Sequence, residues 1–298
     1  MGPMASFEGT LLDWLQATCL PHGRVPLAIG DDGALVSCDG ARHVVIAADL
    51  VAEGRHFNGD ADPYLVGRKA LARNLSDLAA MGARPLAAVA TCALRRGTPL
   101  EYARELTRGL RDLGTEWDCP LVGGDTATHE AGLVLSVTVL GALVGASEVK
   151  RSGARVGHQI LVTGGLGRSW KSDRHLQFAP RLRESWSLCQ RGASFAMMDI
   201  SDGLLLDLHR MADASGVGFR LDMERIPCSP GASLQEALSD GEDYELLFTW
   251  PREDVSSLLA EWPHEVPLTV VGEILQKGRH LRTGDRIEVA AKVGYEHD

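Results

Sequence analysis

The chain is short of several features that would narrow its function at once. No apolar run approaches the ~18 residues needed to span a bilayer, so no membrane role is expected. The start, MGPMASFEGT, has no basic stretch followed by an apolar one, which makes a cytoplasmic protein the expectation. Its Met1-Gly2-Pro3-Met4 opening reads as an appended remnant outside the fold. The six cysteines (Cys19, Cys38, Cys92, Cys119, Cys189, Cys228) form no CxxC pair, which excludes zinc-ribbon and dithiol redox signatures. Several, such as Cys92 in ATCAL, read as small core residues of a reducing compartment. Basic residues are not in excess either. Lys and Arg number 30 against 40 Asp and Glu, a net charge of −10 that argues against nucleic acid and anionic membranes as partners.

The common nucleotide and hydrolase signatures are also missing. There is no Gly-Lys dipeptide and hence no Walker A loop, and GGLGRS at 164–169 lacks the third glycine of a dinucleotide fingerprint. Kinase HRD and DFG sets, a GxSxG elbow and HExxH are absent.

What remains has the balance of an ordinary globular protein, with 298 residues, 45% hydrophobic and 23% charged. At roughly 150 residues per domain this suggests two domains or one large one, with a core that needs no disulfides. Short β-rich runs at 43–48, 86–93, 133–141, 159–163, 195–198, 219–222, 244–249 and 268–271 alternate with helical patterns at 8–17, 63–81, 99–113, 181–191, 204–214 and 252–262. That alternation marks an α/β or α+β chain. Leu71, Leu75 and Leu78 form a buried helical stripe, with Asn74 and Asp77 on a different face. A stretch of small and charged residues at 145–157 predicts a boundary, giving domains 1–147 and 148–298.

Six segments place acidic residues beside glycine or at the ends of apolar runs: IGDDGALV (29–36), AADL (47–50), NLSDLAAMG (74–82), VGGDTA (122–127), MDISDG (198–203) and GEDYELLF (241–248). Each alone fits a turn or a helix cap; Asp202 is well placed to cap a helix starting at Leu204. Together they describe clustered carboxylates, which repel one another and must be neutralised or protonated. Hard divalent cations do this economically. Mg²⁺ accepts a few carboxylates and takes other ligands from water and substrate phosphates, which points to nucleotide chemistry.

The ordered series IGDDGALV, DLVAEGRHF, NLSDLAAMGARP, VGGDTA, RSGARVG, ISDGLLLDL and GEDYELLF resembles the thiamine-monophosphate kinase family. That family lies within the aminoimidazole ribonucleotide synthetase and selenophosphate synthetase superfamily. The likeness runs from about Ile29 to the terminal GYEHD. It implies a two-domain α/β (α+β) fold, an N-terminal domain that dimerises by pairing strands into a β-barrel, and a C-terminal α/β domain with ATP in the cleft. Carried over by position, Asp32, Asp49, Asp77, Asp125, Asp199 and Asp202 would bind several Mg²⁺ ions. Gly124, Asp125, Arg151 and Ser201 would contact ATP, and His56 and Glu242 the thiamine phosphate. The implied reaction is direct γ-phosphoryl transfer to a phosphate monoester, with no phosphoenzyme and no catalytic residue beyond metal-assisted positioning. That acceptor has a second pKa of about 6, so it needs no general base.

The chain departs from the family pattern in three places. Ala47-Ala48-Asp49 stands where the family has Ser/Thr-Thr-Asp. The stretch before His175 lacks a helix that the family inserts. Lys292 occupies the place of an aromatic residue that stacks on the thiamine. Two alternatives therefore stay open: a divergent superfamily enzyme using ATP on another small metabolite, and a nucleotide-binding protein without turnover. A selenophosphate synthetase is disfavoured because its N-terminal Cys is absent, and a hydrogenase-maturation relative because the chain ends Glu-His-Asp.

Overall fold

A computed structural model describes residues 7–19, 22–38, 43–145 and 148–295. The Met1–Met4 opening, the terminal Glu296-His297-Asp298 and the 147/148 division lie outside them or at their edge. The first half carries α1 (Phe7–Thr18), β1 (Ala34–Ser37), β2 (His43–Ala52), α2 (Pro63–Ala80), β3 (Ala83–Arg95), α3 (Leu100–Glu116), β4 (Leu121–His129) and β5 (Val134–Leu143). Its sheet has the order β1-β2-β5-β3-β4, antiparallel except for the parallel β3–β4 pair.

The second half continues with β6 (Gln159–Thr163), α4 (Arg174–Gln177), α5 (Leu182–Cys189), β7 (Met197–Asp199), α6 (Leu204–Ser215), β8 (Gly218–Asp222), α7 (Leu234–Ser239) and β9 (Leu246–Trp250). It ends with α8 (Val255–Ala260), β10 (Leu268–Leu275), β11 (Arg279–Thr283) and β12 (Arg286–Val289). This sheet runs β12-β11-β8-β10-β6-β9-β7, with only β8–β11 parallel.

Helix α2 is the hinge of the architecture. Pro63 occupies its first turn, where the missing N–H costs nothing, and the Asp62 side chain accepts from the Tyr64 N–H at 2.9 Å. Leu71, Leu75 and Leu78 have almost no exposed surface; truncating one to Ala would cost about 2–5 kcal/mol. The helix packs on the first sheet and on α3, and it also meets α4, α5 and β7 of the second half. At the α2–α3 crossing, a Cβ on Gly67 would lie 1.9 Å from Leu106 O, and one on Gly109 1.9 Å from Tyr64 O. Backbone touches backbone there, which only glycine permits. One apolar cluster is consequently continuous from Leu135 and Val137 through α2 to Phe248 and Trp250.

The two sheets are covered differently. The second is packed on both faces, one against that shared core and the other against α6 with Leu205, Leu208 and Met211. The first buries Val45, Ala47, Val137 and Val139 beneath α2 but leaves Leu50, Leu86, Val89 and Leu140 exposed on its strands.

Several elements differ from the sequence expectation. Strand β2 does not stop at 48 but runs through Asp49 to Ala52, because DLVA continues the pairing with β5, Asp49 standing opposite Val137. The segment VGGDTA, for which the sequence predicts no strand and which alone fits a turn, is part of β4, which lacks apolar alternation and pairs through its backbone with β3. The cysteines divide: Cys119 is buried, Cys92 and Cys189 are half-buried, and Cys19, Cys38 and Cys228 are exposed, so the core reading holds fully for Cys119 alone.

Candidate active site

Between the halves lies a cavity of about 880 Å³, and almost every acidic residue expected to act lines it. Asp32 comes from the glycine-flanked loop before β1, Asp77 from the polar face of α2, and Asp199 from the last position of β7. One oxygen of each carboxylate lies within 4.8 Å of the others. Burial, then the charges of Asp49 and Asp199, push the Asp77 carboxyl well above its usual range; burial and Asp32 do the same to Asp199. Ser76 Oγ donates to Asp199 Oδ2 at 2.6 Å, tying α2 to β7. Oδ2 of Asp32 is buried with no hydrogen-bond partner among the described residues. Three mutually repelling carboxylates with an orphaned oxygen, and no nitrogen or sulfur donor among them, fit a hard oxygen-seeking cation such as Mg²⁺.

Guanidinium groups bracket this cluster. Arg151 Nη2 donates to Asp32 Oδ1 at 2.7 Å, and its backbone N–H to Asp31 Oδ1 at 3.3 Å. Asp31 is raised to about 6 by burial and by Asp32, against the pull of Arg151. Arg73 Nη2 lies 3.0 Å from Asp49 Oδ2, while the Asp49 N–H donates to Asn74 Oδ1 at 3.0 Å. Asp202 pairs with Arg210, whose Nη1 also reaches Asp207 Oδ1 at 2.8 Å. Ser201 lines the cavity beside them.

The opposite end is organised around Lys69, a residue with no exposed surface. Its Nζ donates to His56 O at 2.6 Å, lies 2.8 Å from His175 Nδ1, and pairs with Glu242. Burial lowers Lys69 to about 8, with Glu242 opposing the fall. Burial would raise Glu242, but His175, Lys69 and Arg73 outweigh it and hold the carboxylate down to about 2. Glu242 and Tyr244 take left-handed backbone, φ 57° and 51°, a strained conformation for both. Their neighbours anchor it. Gly167 N–H donates to both Asp243 oxygens at 3.0 Å, and Glu245 accepts from Arg181 Nε at 2.7 Å and Thr163 Oγ1 at 2.7 Å. GEDYE thus turns alternate side chains toward the cavity and into the protein.

Gly124 and Asp125 are not brought to this cavity within the chain. They lie on the exposed edge strand β4, Asp125 opposite Thr91. Gly124 also has a packing reason to be glycine, since a Cβ there would lie 1.8 Å from Ala90 O.

Residues 30–143 match the family described as AIR synthase related protein, N-terminal domain, and residues 155–283 its C-terminal domain. The thiamine-monophosphate kinase of Rhodopirellula baltica is 34% identical over 286 residues, covering 90% of this chain and 89% of that one. The same enzyme of Escherichia coli K12 is 34% identical over 306 residues, with 92% of both covered. The chain belongs to the thiamine-monophosphate kinase family. A solved structure, AaThiL complexed with AMPPCP and TMP, superposes with a TM-score of 0.83 at 27% identity over 100% of both chains.

In this member of the thiamine-monophosphate kinase family, the sequence pattern marks the carboxylates and one counterion, Arg151, but not Lys69, Arg73 or Arg210. Lys69, Arg73 and then Ser76 with Asp77 follow one another at steps of three or four residues, a polar stripe on a helix that otherwise carries mostly small and apolar side chains. That stripe was the available signal; on a helix buried all round it lines a cleft rather than a solvent face. Among the described residues no helix is long and apolar enough to cross a membrane.

Proposed function

We propose that this chain transfers the γ-phosphoryl group of ATP to thiamine monophosphate, giving ADP and thiamine diphosphate, with Mg²⁺ ions held by Asp32, Asp77 and Asp199. The observation that carries the reading is the three-carboxylate cluster facing the buried Lys69–Glu242 pair across one cavity. Family membership supports it, as does the solved relative complexed with AMPPCP and TMP. Two anions must meet in a cavity walled by Asp side chains, and bound Mg²⁺ supplies the neutralising charge. The chain's own residues orient and exclude. Arg151 and Arg210 fix the Asp32 and Asp202 carboxylates, leaving Ser201 and Arg151 at the ATP side. Glu242, held ionised, and His56 face the acceptor side. The acceptor monoester is largely ionised near neutral pH, so positioning supplies the chemistry and no side chain need act as base.

The exposed Leu50, Leu86, Val89 and Leu140, with Val122 on edge strand β4, form an apolar face suited to a second copy. Pairing two such sheets into a barrel is the arrangement in which Gly124 and Asp125 keep their roles toward ATP and metal, as residues reaching a shared site. Asp49 and Asp202 complete the ligand set. The domain division after residue 147, at residues outside those described, is supported by family matches on either side, and a cytoplasmic location by the nature of both substrates.

Incubating the protein with ATP, Mg²⁺ and thiamine monophosphate should give ADP and thiamine diphosphate in equal amounts by mass spectrometry. ATP consumption without thiamine diphosphate would redirect the reading to another acceptor, and binding without consumption would overturn it. Light scattering should give twice the chain mass, falling to one on Val122→Lys.

A further inference from the structure

The loop joining β6 to α4 is short and heavily pinned. Arg168 and Asp173 adopt left-handed backbone, φ 62° and 54°. Ser172 Oγ donates to Arg168 O at 2.9 Å, Asp173 N–H to Trp170 O at 3.2 Å, and His175 N–H to Ser169 O at 3.2 Å. Arg168 Nη1 donates to Gly231 O at 2.9 Å, and Lys171 pairs with Glu236 at 2.6 Å. This loop delivers one aromatic side chain to the cavity wall, Trp170, beside Lys171. Its ring lies nearly parallel to that of His175, at 15°, with centroids 4.3 Å apart. Lys69 Nζ, the partner of Glu242, stands 5.5 Å from the indole centroid. Despite the stacking, Trp170 keeps 37% of its surface exposed.

A polyphosphate gains little from an indole face. A flat heteroaromatic gains a stacking partner, and a cationic one gains more, because the ring quadrupole attracts positive charge. The same end of the cavity presents Glu242 as a carboxylate that Lys69 alone does not cover, its side chain 18% exposed. We propose that Trp170 is a specificity-determining residue for the acceptor, its indole stacking on the cationic heteroaromatic part of the substrate beside Glu242. This assignment rests on the kinase reading above, and it places the aromatic wall on the 168–173 loop while Lys292 occupies another part of the same wall.

The test is steady-state kinetics of the wild-type protein, Trp170→Ala and Trp170→Phe. A monophosphate carrying a neutral thiophene in place of the thiazolium serves as a competitive inhibitor. Trp170→Ala should raise KM for thiamine monophosphate about ten- to thirty-fold. KM for ATP should hold within about two-fold, and Trp170→Phe should recover most of the loss. The Ki of the neutral analogue should rise less than about five-fold, since only stacking is lost. Equal losses for charged and neutral rings, or an equal rise in KM for ATP, would make Trp170 a packing partner of His175 and overturn the proposal. If Trp170→Ala fails to fold, Trp170→Leu set against Trp170→Phe decides the same question. Absence of turnover by the wild-type protein overturns the kinase reading instead; an active wild type with an unchanged Trp170→Ala overturns this proposal alone.

Discussion

At one end of the cavity Asp32, Asp77 and Asp199 face one another, only Asp32 among them paired with a guanidinium, that of Arg151, and burial raises the carboxyls of Asp77 and Asp199. At the other, Lys69, Glu242 and His175 are bonded to one another, and Glu242 is held down to about 2. On the proposed reading, the first end is completed by a cation, which relieves the repulsion among its carboxylates. The second is already compensated, and its groups stand in place before any ligand binds. Proteins rarely tolerate under-compensated buried carboxylates, so on the proposed kinase reading the variable part of the reaction, metal with polyphosphate, is assigned to the first end. The same reading assigns the fixed part, acceptor recognition, to the second.

The largest way to break the contrast is Asp77→Asn. Turnover should fall at least about a thousand-fold, roughly 4 kcal/mol of lost transition-state stabilisation, while the metal-free protein becomes more stable, because a repelling charge is gone. Initial rates and thermal scans check the two halves of this statement. At the paired end the sign reverses. Lys69→Met strands Glu242 and should cost about 3–5 kcal/mol in urea unfolding. Adding Glu242→Gln should return most of that, although neither variant recognises the acceptor normally.

The two ends also respond oppositely to pH. In the metal-free protein Asp77 and Asp199 hold protons to higher pH than in the unfolded chain, so their contribution falls as pH rises above the ordinary 3.8. Glu242 stabilises fully above its ordinary 4.5, and that contribution is lost as pH falls toward about 2. Denaturant melts across this range should show the acid-side loss flattened by Glu242→Gln and the loss on raising pH flattened by Asp77→Asn. The smallest effect is expected for Ser76→Ala, which removes the 2.6 Å donor to Asp199. It should weaken Mg²⁺ binding about ten-fold and cost about 1 kcal/mol of stability, by metal titration and urea melts.

Much of this was legible in the sequence. Strand β6 occupies the expected 159–163, and α2 ends one residue before its expected bound, because apolar periodicity and the Asp62–Pro63 start encode them. The carboxylates were legible because Asp beside Gly at an element's end is a local pattern, and Asp32, Asp49, Asp77, Asp199 and Asp202 do line one cavity. Strand β4 was not legible. It is exposed along nearly its whole length, so nothing selects alternating apolar side chains, and its pairing is made by backbone groups. Lys69 and Arg73 escaped notice because charge on a helix ordinarily means solvent; only packing of α2 on both halves turns that face inward. Trp170 depends on a loop whose conformation is set by contacts with Gly231 and Glu236, some sixty residues away.

The central claim, that Asp32, Asp77 and Asp199 wait for a cation, is tested most directly by the Mg²⁺-induced shift in melting temperature of the metal-free protein at several pH values. Melting temperature should rise with Mg²⁺ by an amount that grows from about pH 5.5 to about 7.5, as protons cease to compete for the carboxylates, and that largely disappears in Asp77→Asn. A shift that is absent, independent of pH, or fully retained by Asp77→Asn would contradict it.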